Sequence, residues 1–113
     1  MNLSKDLVAA SATPLVLSIL AEGDSYGYAI IKRAADLSGG VMQWTDGMLY
    51  PILHRLESQG LIASEVRIAD TGRKRKYYRL NETGSAVIET YQTQWRTVYA
   101  TLNKLWETKL CLA

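Results

Sequence analysis

The sequence predicts a mainly α-helical fold with one small β-hairpin, closed by a long C-terminal helix. Three observations lead there. Apolar residues recur at helical spacing in stretches that stop at glycines, at Gly23, Gly39-Gly40 and Gly60. Two short segments suited to strands, Leu61 to Ile68 and KYYRL, flank the turn signal Asp70-Thr71-Gly72. Beyond Asn81, apolar residues alternate between spacings of three and four.

Taken in order, Thr13-Pro14 is a good helix start, with a capping hydroxyl and a proline at the first helical position, and that helix runs to about Ala21. Residues 1–12 form either a separate helical turn from Ser4 or an extension of this helix. A second helix starts at Asp24 or Ser25, turns Tyr28, Ile31 and Ala34 inward, and stops at Gly39-Gly40. In the third, Leu49, Ile52, Leu53 and Leu56 make one apolar stripe ending at Gly60. Pro51 leaves its start open, because a cap at Thr45 would put the proline in the second turn. Trp44 reads as a hydrophobic staple onto Met48. After the hairpin, Asn81-Glu82 starts the last helix.

At 113 residues and 48% hydrophobic, the chain is one domain with enough apolar material for a core. The single cysteine, Cys111, rules out a disulfide framework within the chain and suits a reducing, cytoplasmic setting. It reads as an inert thiol. The apolar run LVLSILA is interrupted by Pro14 just before it and followed by Glu22-Gly23-Asp24, and it falls far short of the ~20 residues that cross a bilayer. No membrane partner is expected.

Net charge is only +2, but six of the thirteen Lys and Arg lie between Arg67 and Arg79. Residues 67–81 carry +5, whereas residues 1–41 carry −1, 42–66 carry −2 and 82–113 balance. Charge confined to one element is the footprint of a polyanion binder. Three helices followed by a basic hairpin is the layout of a winged helix-turn-helix, in which the third helix enters the DNA major groove and the wing follows the backbone. Residues 1–80 would then be a DNA-binding winged helix and 81–113 a dimerisation helix.

The phrases LSILAEGDSYGYAI (17–30), GMLYPILHRLESQGLI (47–62) and GRKRKYYRLNETG (72–84) resemble, in that order, the PadR family of bacterial transcription regulators. The single helix after them is similar to the small branch of that family. The resemblance implies a homodimer whose wings and recognition helices engage a palindromic operator in double-stranded DNA, usually as a repressor. Carried over by position, Gly47, Tyr50 and His54 face DNA, Thr45 lies near a phosphate, and the wing contacts are Arg73, Lys74, Arg75 and Lys76. One departure is that the third helix offers few base-reading side chains: His54, Arg55 and, at its far end, Gln59. Some multidrug-sensing members hold flat aromatic effectors between paired tryptophans, and Trp95 stands at the matching position.

Each of these sites has a plainer reading. A basic loop is commonly a solvated face, although its place after a helix-turn-helix favours phosphate contact. Tyr50 either meets phosphate or lies half-buried at the helix base; His54, the only histidine, either touches DNA or is simply exposed. Along the last helix, Ile88, Tyr91, Trp95, Val98, Leu102 and Leu105 form a heptad-like seam, widened by Val87, Tyr99 and Trp106. A second copy of the chain is the simplest cover for so broad a face. Trp95, with Tyr91 and Tyr99 nearby, either packs that seam tightly or lines a gap for planar aromatic effectors.

No catalytic motif is present: there is no histidine pair, cysteine cluster, phosphate-binding glycine loop or nucleophile with an evident base. Neither an enzyme activity nor a metal or cofactor is expected. The rival to a DNA-binding regulator is a winged-helix module that uses wing and seam to bind proteins.

Overall fold

A computed structural model describes residues 1–112, with side chains through residue 107; Cys111 lies outside the described side chains. Four helices, α1 (Lys5–Ala21), α2 (Gly27–Leu37), α3 (Asp46–Ser58) and α4 (Glu82–Leu112), accompany three strands, β1 (Ser25–Tyr26), β2 (Ile62–Ile68) and β3 (Lys74–Leu80). The strands form one antiparallel sheet in the order β1-β3-β2. The architecture is the expected winged helix with a long C-terminal helix.

α1 is a single helix capped by Ser4, whose hydroxyl accepts from the Leu7 amide at 3.2 Å. Thr13 is therefore not its cap, and residues 5–12 extend the helix. Pro14 withholds a donor from the Ala10 carbonyl, but Ala10 is exposed, so water can satisfy the orphan acceptor. On the inner side, Ala12, Val16, Leu17, Ile19 and Leu20 build the centre of the core with Leu49, Leu53 and Leu56 of α3. Trp44 is buried in the same core, with Met48 packed against it.

The second helix departs from its expected start. Ser25 and Tyr26 pair with Tyr78 and Tyr77 of β3, and α2 begins only at Gly27. Its buried stripe is Gly27, Ile30 and Ala34, whereas Tyr28 is 70% exposed and does not point inward. Tyr28 and Ala34 are six residues apart and so sit roughly 120° from each other around a helix; they could not share a face. At its end α3 closes with two bonds, from the Leu61 amide to the Leu56 carbonyl and from Gly60 to Glu57, both 3.0 Å, with Gly60 at φ 74°. Pro51 sits inside α3, which Thr45 caps.

The hairpin keeps its register from Ile62↔Leu80 to Ile68↔Lys74, turning through residues 69–73. Its base is fixed to α4 by close approach: a side chain at Gly84 would strike the Leu61 carbonyl and Leu80. Asn81 joins the same corner, donating through its side-chain amide to the Gly60 carbonyl at 3.1 Å. Wing, α3 and α4 thus meet at one point.

Candidate nucleic-acid interface

α3 is positioned from its first turn. The Thr45 hydroxyl accepts from the Met48 amide at 3.3 Å, which satisfies one orphan donor and leaves the hydroxyl proton free to donate outward. Leu49, Leu53 and Leu56, all buried, turn the opposite face to solvent, and that face carries Gly47, Tyr50 and His54. Pro51 has no amide proton, so the exposed Gly47 carbonyl also lacks its helical donor and remains an acceptor on this face.

The Tyr50 ring lies over the start of α2, where Gly27 has no side chain; a Cβ there would collide with the Tyr50 hydroxyl. Tyr50 nonetheless stays 37% exposed, with its hydroxyl against Gly27. Beside it opens a cleft of about 460 Å³ lined by Tyr26, Gly27, Tyr28 and Tyr50 together with Arg73, Lys74, Arg75 and Lys76. Phenol edges and four cations around one opening suit a polyanion with a phosphate backbone.

Alternation along the hairpin gives its two faces different work. On the outer face, the Arg67 guanidinium lies 4.5 Å from the centre of the Tyr77 ring, Tyr77 meets Tyr26 edge-on at 5.3 Å, and Arg75 covers Tyr26 at 4.5 Å. Arg67 also bonds Asp24 at 2.6 Å and Glu65 at 2.7 Å, and these carboxylates push its pKa up further. This ladder ties the wing to β1 and to the entry of α2. On the inner face Tyr78 is buried in the core, with Lys76 5.7 Å from its ring centre, and Ser64 donates to Glu57 of α3 at 2.5 Å. Burial first, then neighbouring Tyr50 and Glu57, raise the Tyr78 phenol above its usual pKa. Arg73 and Lys74 project from the tip, exposed and without an ion pair or side-chain hydrogen bond among the described residues.

Arg55 is placed apart from this group. Its Nη2 donates to Thr13 on α1 at 2.6 Å, and it borders a hollow shared with Lys5, Val8 and Met48 on the other flank of α3. Sequence reasoning missed Tyr26, Tyr28, Arg67 and Tyr77 as parts of the cleft and its support. The strand propensity of Tyr26, just before a glycine, was the available signal.

On the far side, α4 packs its first turns against α1 and then leaves the body. Ile88 and Tyr91 are half-buried, while Trp95, Val98, Tyr99, Leu102, Leu105 and Trp106 are all exposed in the single chain. Between α1 and α4 runs an apolar cavity of about 310 Å³, with Pro14, Leu15, Ile88, Tyr91 and Trp95 among its walls; Tyr99 is not one of them. No described helix is long and apolar enough to cross a membrane. Among the described residues no three His, Cys, Asp or Glu gather as metal ligands would.

Residues 16–90 match the model of the transcriptional regulator PadR-like family. A transcriptional regulator from Clostridium thermocellum superposes with a TM-score of 0.81, at 30% identity, covering 88% of this chain and 97% of that one. A PadR family transcriptional regulator from Eggerthella lenta gives 0.78 at 39% identity, covering 91% and 88%. The Escherichia coli transcriptional regulator YqjI is 34% identical over 80 residues, which are 71% of this chain and 37% of that protein.

Proposed function

The chain belongs to the PadR-like family of transcriptional regulators, and from that premise we propose that it binds a palindromic operator in double-stranded DNA as a homodimer. One observation carries the reading: Tyr50 of α3 and the cations Arg73, Lys74, Arg75 and Lys76 line the same open cleft. In this reading α3 lies in the major groove with Gly47, Tyr50 and His54 toward the bases and Thr45 toward a phosphate. The wing neutralises backbone charge. Arg55 is exposed on another flank of α3, where one of its nitrogens bonds Thr13 of α1 and the rest of the guanidinium can reach DNA.

The apolar face of α4 supports homodimerisation. Residues 1–80 supply the DNA-binding unit and 81–113 the dimer helix. Repression released by a small planar aromatic effector completes the proposal, with Tyr91 and Trp95 in the α1–α4 cavity as its seat. Such an effector acts by binding one spacing of the two α3 helices better than another. Titrating planar dyes against tryptophan fluorescence tests this: quenching that is lost in Trp95→Ala supports the seat, and equal operator affinity with and without dye refutes release.

Selection of bound duplexes from a random pool tests the core claim. The expected product is a palindrome with half-sites about one helical turn apart. The rival, a protein-binding winged helix, predicts no duplex retained even at low salt.

A further inference from the structure

The inner face of the wing does not end at the core. Ile62 is buried and Ser64 bonds Glu57 of α3, so this face of β2 is the one turned toward the recognition helix. Two residues further on, the same face carries Val66, and then Ile68, which are 63% and 69% exposed. Directly opposite them on β3 stand Lys76 and Lys74. Cross-strand partners share a face, so two aliphatic side chains form a ridge with two ammonium groups along one flank.

Resting on the DNA-binding reading above, we propose that Val66 and Ile68 enter the minor groove beside each half-site and make the wing selective for A·T pairs. The charge pattern fits that occupant. A minor groove is about 6 Å wide between two rows of phosphates, which matches a narrow apolar ridge with a cation on its flank. The selectivity follows from the groove floor. A·T pairs offer only acceptors there, whereas G·C adds the guanine amino donor. An aliphatic side chain pressed on that donor strips its water and returns no acceptor, an unfavourable exchange. The wing then reads the flanks of the operator as well as gripping its backbone.

The test uses a duplex recovered from the random pool, with the pairs just outside each half-site set to A·T, G·C or inosine·C. Inosine lacks the guanine amino group and leaves the major-groove edge of guanine in place. The native chain should bind the A·T and inosine·C flanks alike and the G·C flanks about fivefold more weakly, the low end of one base pair's worth. Val66→Thr with Ile68→Thr keeps both positions β-branched and the hairpin intact; this variant should bind all three alike. Lys74→Ser should preserve the order while flattening the salt dependence by about 0.9 in log–log slope per lost contact. If inosine·C behaves as G·C, or the double threonine variant keeps the native order, the two residues owe their place to strand propensity alone and the inference falls. Retention of no duplex at low salt overturns the DNA-binding reading itself; retention with no order among the flanks overturns only the ridge.

Discussion

The wing and the outer part of α4 both expose their side chains, but they stand on different supports. Arg75 is stacked on Tyr26, Tyr26 meets Tyr77, and Tyr77 lies under Arg67, which in turn is bonded to Asp24 and Glu65. Every partner in that series belongs to the same chain. Beyond Tyr91, by contrast, the apolar residues of α4 from Trp95 to Trp106 are exposed, with Trp95 alone among them reaching the α1–α4 cavity. The wing is organised within one chain; the seam is covered only in the proposed dimer. Polar surfaces can be left open to water, whereas an apolar face this long is an interface in waiting.

The sharpest way to break this contrast is to charge the seam. Val98→Glu together with Leu102→Glu should leave each winged helix folded, because neither side chain is in the core, and should give a monomer by sedimentation. Operator affinity should then fall by about a hundredfold or more, as two linked half-site contacts become independent. A charged variant that still sediments as a dimer would mean that the seam is not where the copies meet.

Next in size is the loss of the wing's charge. Replacing Arg73, Lys74, Arg75 and Lys76 by serine should weaken all duplexes together, by about tenfold at moderate salt, and lower the log–log salt slope by about 0.9 for each phosphate contact removed. Filter binding across a salt series reads both. A slope that stays unchanged would assign those cations to solvent. A smaller effect separates charge from organisation: Tyr26→Ala removes the ring beneath Arg75 and no charge. Affinity should drop about two- to fivefold, the worth of one exposed cation–π contact, with the slope intact.

The same contrast explains what could be read without the structure. The α3 stripe and the seam are local: Leu49, Leu53 and Leu56 repeat within one helix, and so do Ile88, Tyr91 and Trp95. The hairpin announced itself by a turn between two short segments. β1 could not be found this way, since two residues carry no period and their partners, Tyr77 and Tyr78, lie far along the chain. Asp24 and Ser25 also look like helix caps, yet Asp24 is bonded to Arg67 and Ser25 pairs in the sheet. Thr13-Pro14 misled for a related reason: the proline is tolerated inside α1 because the carbonyl it leaves unpaired belongs to exposed Ala10, a fact of tertiary placement. The bond from Arg55 to Thr13, 42 residues away, is likewise a tertiary contact that no local pattern shows.

The smallest predicted effect lies beneath the wing and concerns how well its support is satisfied. Tyr78 is 1% exposed, and no protein group among the described residues hydrogen-bonds to its hydroxyl. A buried hydroxyl without a partner opposes folding, so Tyr78→Phe should leave stability unchanged or raise it by up to about 1 kcal/mol in urea denaturation. The pH dependence gives a second readout. Burial raises the Tyr78 pKa in the folded chain, so the neutral phenol is the favoured form there. The associated stability is fully present below the unfolded pKa of about 10 and is lost as pH rises from there through the folded pKa. The native chain should therefore weaken across that alkaline window more steeply than Tyr78→Phe. A loss of stability at neutral pH in the phenylalanine variant would instead mean that the hydroxyl holds a partner such as a buried water, and that the polar network of the wing continues inward to Tyr50 and Glu57.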